Sequence, residues 1–194
     1  MRIGYDMMGG DFAPQENLSA AKQFAQSNPD VQLYLFYDAA QPIDGLDGIP
    51  NSVPVPCDGV IGMDDNPVKA MREKQKATIP VGFYFLGEGK IDAFISTGNT
   101  GVMMVGAMMV IKPIDGVLRP TIPTMVPKVT GGLGLIADVG LNADCKPENL
   151  RQFAVLASEY ARMAQDNPNP TVGLLNMGEE EGKGNLLAKE AYVQ

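Results

Sequence analysis

The sequence predicts an α/β fold in which a mostly parallel, doubly wound sheet carries helices on both faces. Short apolar segments alternate with helix-length segments along the chain, which is the pattern of successive βαβ units. Several apolar segments end in glycine-containing polar turns, and residues 147–164 place apolar side chains at helical spacing. The composition, 45% hydrophobic and 20% charged, is typical of a globular protein.

The first half of the chain is expected to alternate strands and helices. Residues 38–60 are rich in Pro, Gly and Asp, so at most one short strand is expected there. Pro14 suits the first turn of a helix. Turn residues and apolar periodicity predict, in order, a strand over 2–6, a helix over 14–27, a strand over 31–37, a short strand near 53–55, a helix opening at 65–67 and a helix over 78–87.

The second half is expected to continue the same pattern within one α/β domain over 1–194, since no linker interrupts it. A Gly131-Gly132 turn separates two short β-rich segments, which indicates a hairpin. The predicted elements are a strand over 91–95, a methionine-rich helix after Gly101, strands over 121–126 and 133–137, a helix over 147–164, a strand over 171–176 and a helix beginning at 182.

Charge and residue usage exclude several classes of function. The formal net charge of −8 argues against nucleic acid as a partner, because phosphate backbones need a basic surface. A basic run at Lys69, Arg72, Lys74 and Lys76 would suit an acidic partner, but a solvated helix face is the favoured interpretation.

The chain contains no histidine, which removes Ser-His-Asp and Cys-His arrangements and every histidine-containing metal site. The two cysteines, Cys57 and Cys145, cannot form a four-ligand zinc site and suggest reduced thiols in the cytoplasm. We therefore expect no metal and no cofactor. A nucleophilic role for Cys145 is disfavoured, because no histidine is present to activate the thiol.

Four polar, glycine-containing motifs stand at the ends of predicted strands, at 6–11, 96–101, 138–144 and 176–181. Ligands of open α/β sheets bind outside the carboxyl ends of the strands. One such turn is unremarkable, but four on the same edge of one sheet would form a cleft. The sequence therefore predicts a ligand-binding cleft at that edge.

The turn from Ser96 to Gly101 is the strongest candidate for an anion site. It joins a predicted strand to a predicted helix, and a helix N-terminus presents unpaired backbone N–H groups and a favourable dipole to an anion. Ser96, Asn99 and Thr100 would add side-chain donors. An ordinary turn with Asn or Thr as the helix N-cap is the alternative. The turn is neither a P-loop nor a Gly-x-Gly-x-x-Gly fingerprint.

Five motifs together resemble one family in order along the chain. They are Asp6-Met-Met-Gly-Gly-Asp11, Ser96-Thr-Gly-Asn-Thr-Gly101, Arg119-Pro120, Asp138-Val-Gly-Leu-Asn-Ala-Asp-Cys-Lys-Pro147 and Asn176-Met-Gly-Glu-Glu-Glu-Gly-Lys-Gly-Asn185. This set resembles the bacterial phosphate acyltransferase of phospholipid synthesis. The resemblance implies transfer of a fatty acyl group from acyl carrier protein to inorganic phosphate, giving an acyl phosphate.

The resemblance also implies a fold and an assembly. The expected fold is a three-layer Rossmann-like sheet, related to isocitrate and isopropylmalate dehydrogenases and to phosphate acetyltransferases. The expected protein is a cytoplasmic homodimer that makes peripheral contact with the membrane or with the next acyltransferase.

The chain departs from the family pattern at several places. Phe12 stands where histidine is often found, and Met7 and Thr97 replace residues that are usually alanine. Family chains continue well beyond the length of this one, and Gln194 falls within a predicted helix. We therefore expect a truncated chain, the N-terminal part of a longer catalytic domain.

The implied reaction suits a site without histidine. Phosphate is substantially dianionic at neutral pH and needs little help from a base, and a thiolate leaves readily because a thiol pKa is about 8.5. Such a site must align phosphate with the thioester and stabilise the tetrahedral oxyanion. Arg119 is the expected charge partner of phosphate, with a surface arginine as the alternative. Lys183 is expected to stabilise the oxyanion or the phosphate.

The predicted site has three groups of residues. The phosphate ligands are expected to be Ser96, Gly98, Asn99, Thr100, Gly101 and Arg119. Asn99 and Lys183 are the expected catalytic residues. Residues expected to shape the site by orienting turns and cations are Asp6, Gly9, Gly10, Asp11, Asp138, Asn142, Asp144, Asn176 and Glu180.

Three alternatives stay open at this point. A dehydrogenase on the same sheet is disfavoured because no dinucleotide fingerprint follows the first strand. A non-catalytic anion-binding fragment and a phosphate acetyl- or butyryltransferase-like enzyme that uses acyl-CoA are the others. Negative charge at Glu179 to Glu181 would repel phosphate unless these side chains turn away, although acidic residues also favour a helix N-terminus.

Overall fold

A computed structural model of the chain describes residues 1–178, 180 and 182–194. The chain forms two compact units, Met1–Lys112 and Pro113–Gln194. The prediction of one α/β domain over 1–194 stays a prediction. Within the described residues, no helix is long and apolar enough to cross a membrane.

The first unit is built on a four-stranded, fully parallel sheet in the order β3-β2-β1-β4. This order places β1 at the centre, with β2 and β4 as its neighbours. Its elements are β1 (Arg2–Asp6), α1 (Gln15–Ser27), β2 (Gln32–Asp38), β3 (Ser52–Cys57), α2 (Pro67–Glu73), α3 (Thr78–Gly87), β4 (Ala93–Ile95) and α4 (Thr100–Val110).

Helices pack on both faces of this sheet, which confirms the α/β prediction. On one face, Ile3, Leu33 and Leu35 share a buried cluster with Ala21 and Ala25 of α1. The alternate residues of the same strands point to the opposite face, because side chains alternate along a strand. There Phe36 packs edge-on against Phe85 of α3 and Phe94 of β4.

Two glycines allow the second layer to pack unusually close. A Cβ atom on Gly82 of α3 would lie 2.2 Å from the Phe94 ring, and one on Gly106 of α4 would lie 2.3 Å from the Phe83 ring. Each ring therefore occupies the space that a side chain would need. These contacts set the distance of α3 from β4 and of α4 from α3.

The second unit contains an antiparallel hairpin of β5 (Thr124–Pro127) and β6 (Leu133–Ile136), followed by α5 (Pro147–Ala164) and α6 (Leu186–Tyr192). The predicted hairpin and the predicted helix over 147–164 are confirmed. The predicted final helix begins at Leu186 rather than at residue 182.

The predicted strand over 171–176 is wrong. These residues form neither helix nor strand, and all six of them are exposed. β-rich composition alone makes no strand where no neighbouring strand offers backbone hydrogen bonds. Pro168 and Pro170, just before the segment, lack the N–H donor of a ladder.

The prediction that four polar motifs share one sheet edge is therefore corrected. The motifs at 6–11 and 96–101 follow β1 and β4 of the parallel sheet. The motif at 138–144 follows the antiparallel hairpin of the second unit, and the motif at 176–181 follows no strand. Two motifs, rather than four, meet at the edge of the parallel sheet.

Gly82→Ala tests the close packing of α3. Overpacking against a ring costs roughly 1–3 kcal/mol, whereas alanine gains about 1 kcal/mol of helix propensity over glycine. We expect a net loss of unfolding free energy in urea denaturation of the 194-residue chain. Gly48→Ala is the control, since a Cβ there would meet only the Gly45 carbonyl oxygen at 3.6 Å. Equal stability of the two variants would contradict the packing account.

Candidate functional site

The loops after β1 and β4 lie side by side at the carboxyl edge of the parallel sheet. β1 and β4 are adjacent, with Tyr5 paired to Ile95 at their last common position. The chain therefore brings the motif at 6–11 against the motif at 96–101, as the rule for parallel strands predicts.

A buried carboxylate joins these two loops. Asp6, which is 1% exposed, accepts a hydrogen bond from the Ser96 hydroxyl at 2.7 Å and another from the Met8 N–H at 3.1 Å. The Ser96 oxygen in turn accepts the Gly98 N–H at 3.0 Å. One hydroxyl group thus connects the end of β1 to the turn that leads into α4.

Burial raises the pKa of Asp6 above its ordinary value, because a charged carboxyl group loses its water shell, while the bonds from Ser96 and Met8 act in the opposite direction. The buried Thr78 hydroxyl also faces the carboxyl group and favours its charged form. The Thr78 hydroxyl nevertheless makes no hydrogen bond with any of the described residues.

Glycines let the two loops touch. The Thr97 hydroxyl donates to the Gly9 carbonyl at 2.9 Å. A Cβ on Gly9 would lie 2.5 Å from the Gly98 nitrogen, which no side chain could tolerate, and Gly10 has a φ of +95°. The predicted shaping residues Gly9 and Gly10 therefore meet the β4 loop directly, whereas Asp11 is exposed.

Asn99 is the N-cap of α4, which is the alternative that the sequence offered to an anion-binding role of this turn. Its Oδ1 accepts the Val102 N–H at 3.1 Å. Its Nδ2 donates to the carbonyl groups of Gly62, Met63 and Asp65 at 3.2, 2.9 and 3.2 Å. The buried side chain is thus committed to protein contacts, and a phosphate contact from it would have to replace them.

Donors nevertheless remain at this turn. Thr100 is exposed, and the backbone N–H groups of Thr100 and Gly101 have no hydrogen-bond acceptor among the described residues. They stand in the first turn of an 11-residue helix, where the dipole favours an anion. The Ser96 hydroxyl proton, by contrast, is used by Asp6.

In the second unit, Asp138 organises the segment around Arg119. Its carboxylate accepts the N–H groups of Ile122 at 2.9 Å and Asn142 at 2.7 Å, and the Thr121 hydroxyl at 3.2 Å. Partial burial raises its pKa, but these bonds together outweigh that effect and hold the pKa below its ordinary value. The orienting role expected of Asp138 in the candidate site stays a prediction.

Arg119, Asn142 and Asp144 belong to the same cluster. The Asn142 amide donates to the Pro120 carbonyl at 2.9 Å, and the exposed Arg119 guanidinium donates to the Asp144 carbonyl. Two hydrogen bonds therefore join residues 119–120 to the 138–144 turn. Arg119 is exposed, and its remaining donors have no acceptor among the described residues.

The last predicted motif folds back on itself. The Asn176 amide donates to the Lys183 carbonyl at 3.3 Å, and the Lys183 N–H donates to the Glu180 carbonyl at 2.9 Å. The side chains of Glu180 and Lys183 are exposed. Glu179 and Glu181, which were expected to repel phosphate, lie outside the described residues.

The two cysteines have different surroundings. Burial, reinforced by the charges of Asp6, Asp58 and Asp38, raises the pKa of Cys57 to about 12. The Cys145 thiol points to the Asn142 carbonyl at 3.8 Å.

Asn17 is a site residue that the sequence reasoning missed. Its buried amide contacts the Asp6–Gly9 turn, and its shortest hydrogen bond is to the Gly9 carbonyl oxygen at 2.8 Å. The available signal was its position four and eight residues before Ala21 and Ala25, on the buried stripe of α1. A buried amide there must find partners.

Ser96→Ala should destabilise the 194-residue chain in a pH-dependent way. The variant leaves a buried carboxylate short of one donor, and a hydrogen bond to a charged group is worth roughly 1.5–3 kcal/mol. Loss of that donor raises the pKa of Asp6 further, so the penalty is full above this pKa and shrinks as pH falls through it and Asp6 gains a proton.

Urea denaturation at a series of pH values from neutral to acid measures this effect, with Ser19→Ala on the exposed side of α1 as the control. A penalty that stays the same at every pH would show that the Asp6–Ser96 bond is not its source.

Residues 1–193 match the family described as "Fatty acid synthesis protein". A phosphate acyltransferase of Caldicellulosiruptor bescii is 42% identical over 202 residues, covering 99% of this chain and 58% of its own length. Phosphate acyltransferases of Thermosipho africanus (41% identical, 98% and 57% covered) and Clostridioides difficile (40%, 100% and 58%) are also similar.

Among solved structures, a branched-chain phosphotransacylase from Enterococcus faecalis V583 aligns with 84% of this chain and 51% of its own, at a TM-score of 0.49 and 13% identity. The chain spans about 58% of the length of the curated relatives it matches. Because the family match runs over residues 1–193, the chain belongs to the fatty acid synthesis protein family, in which the similar proteins named above are phosphate acyltransferases.

Proposed function

We propose that the whole protein transfers a fatty acyl group from acyl carrier protein to inorganic phosphate, giving an acyl phosphate for phospholipid synthesis. The names of the relatives support phosphate as the acyl acceptor, and the family description supports a fatty acyl group. The five motifs that resemble this family support acyl carrier protein as the donor.

The proposed phosphate site is the N-terminus of α4. The observation that carries it is the pair of backbone N–H groups at Thr100 and Gly101, which have no acceptor among the described residues. They stand at the end of a turn that buried side chains hold in place. Thr100 adds an exposed hydroxyl group. Gly98 keeps the turn open, since a Cβ there would lie 3.1 Å from the Ser96 oxygen. Ser96 and Asn99 support this site by holding the turn and the helix end.

Charge must also be balanced at such a site. The buried Asp6 carboxylate is bonded to Ser96, within the same turn, and its negative charge would oppose a phosphate dianion. A cation is therefore needed. From the sequence motifs alone, we propose Arg119 for this role, because a guanidinium can bind phosphate through two donors at once. Lys183 is the second candidate.

The proposed chemistry is direct attack. A phosphate oxygen forms a bond to the thioester carbonyl carbon, the resulting oxyanion collapses, the carbon–sulfur bond breaks, and the thiolate leaves and takes a proton from water. Lys183 or a backbone N–H would stabilise the oxyanion. No acyl group passes through a cysteine, since the Cys57 thiol is buried and holds its proton, and the chain contains no histidine to activate Cys145.

Other features of the whole protein follow from the same resemblance and are proposed with it. They are a homodimer and peripheral contact with the membrane or with the next acyltransferase. A donor carried on coenzyme A rather than on acyl carrier protein is the alternative for the same site, as in a phosphate acetyl- or butyryltransferase.

Release of free thiol from an acyl carrier protein thioester tests the proposal. The longer protein, spanning the full length of its relatives, should release thiol only when phosphate is added, whereas residues 1–194 alone should show little activity. The matched reactions replace phosphate with sulfate and the carrier with acyl-CoA. Thiol release without phosphate would sink the proposal, and preference for acyl-CoA would select the alternative donor.

A further inference from the structure

A single asparagine of α1 holds the turn that follows β1. The Asn17 side chain is 7% exposed, and its Nδ2 donates to the carbonyl groups of Gly9 at 2.8 Å and Met7 at 3.0 Å, with a longer contact to Asp6 at 3.4 Å. Its Oδ1 accepts the Tyr5 hydroxyl at 2.9 Å. Every polar atom of this buried amide is therefore satisfied, and all of its donated bonds go to one turn.

The Gly9 carbonyl connects this asparagine to the loop after β4. The same oxygen accepts the Asn17 amide at 2.8 Å and the Thr97 hydroxyl at 2.9 Å. Gly9 also lies against Gly98, since a Cβ on it would be 2.5 Å from the Gly98 nitrogen. A shift of the Gly9 turn would therefore carry Thr97 and Gly98 with it, or break their contacts.

We propose that Asn17 is a positioning residue of the α4 anion site. Asn17 holds the Gly9 carbonyl oxygen, and this oxygen accepts the Thr97 hydroxyl. Thr97 belongs to the turn that leads into α4, so its position sets the direction of the Thr100 and Gly101 N–H groups. Asn17 itself touches no substrate. The inference rests on the proposed function for the site itself and for its anion, inorganic phosphate.

A control variant separates a positioning role of Asn17 from a role in stability alone. Asn17 shares the buried stripe of α1 with Ala21 and Ala25, so its loss lowers stability whatever else it does. Leu18→Ala is the matched control, because Leu18 packs on the same core from the next position of α1 and makes no bond to the turn.

The experiment compares Asn17→Leu, Thr97→Val and their double variant with the control, using the 194-residue chain. Amide hydrogen exchange reports the order of residues 96–101, and calorimetric titration with inorganic phosphate reports affinity. Thr97 is exposed, so Thr97→Val keeps the test available if Asn17→Leu does not fold. Both single variants remove a donor from the same carbonyl.

We expect each single variant to speed exchange at Gly98, whose N–H donates to the Ser96 oxygen. Each should also weaken phosphate binding by about tenfold, which corresponds to 1.4 kcal/mol. The double variant should weaken binding by less than the product of the two single effects, because they share one acceptor. Leu18→Ala should lower stability but leave both readouts unchanged.

Unchanged exchange at Gly98 in both single variants would overturn the inference, as would independent effects that multiply in the double variant. A wild-type chain that binds no phosphate would overturn the proposed site, and the exchange rates would then still decide whether Asn17 holds the loop.

Discussion

The hydrogen bond between the Ser96 hydroxyl and the buried Asp6 carboxylate is the constraint on which this site depends. A carboxylate removed from water costs free energy unless donors replace the lost hydration. Here the donors are the Met8 N–H and the Ser96 hydroxyl, from the loops after β1 and β4. Because the Ser96 oxygen also accepts the Gly98 N–H, the need to satisfy one buried charge determines the path of the turn.

Packing below the turn makes that path rigid. The rings of Phe94 and Phe83 fill the space left by Gly82 and Gly106, which holds α3 on the sheet and α4 on α3. Asn99 then fastens the start of α4 to the carbonyl groups of residues 62–65. The backbone N–H groups at the start of α4 are thereby held before any ligand arrives, which is the preorganisation that binding and catalysis of anionic groups require.

Local patterns in the sequence predicted the parallel sheet, the helix boundaries of α3 and α5, and the turn at 96–101. Those features depend on alternation, helical spacing and turn residues, which are written in short segments. The roles of Ser96 and Asn99 were not accessible in the same way. Ser96 meets Asp6 across 90 positions of sequence, and Asn99 meets carbonyl groups more than 30 positions away, so these partners could not be predicted locally. The N-cap role of Asn99 is local, and the sequence allowed it as an alternative.

The errors in the second unit have a related cause. Residues 171–176 have the composition of a strand, but a strand also needs a neighbour, and none pairs with them among the described residues.

In the first unit, Asn17 was missed because a polar residue on an amphipathic helix is ordinarily exposed. Only its place on the α1 stripe with Ala21 and Ala25 indicated burial.

The central claim is that the N-terminus of α4 binds inorganic phosphate through its backbone. A titration of the ¹⁵N-labelled chain with phosphate, followed by amide NMR shifts, tests it most directly. The account predicts saturable shifts that are largest at the Thr100 and Gly101 amides, with smaller ones at Gly98. Saturable shifts centred elsewhere, with the Thr100 and Gly101 amides unmoved, would contradict it.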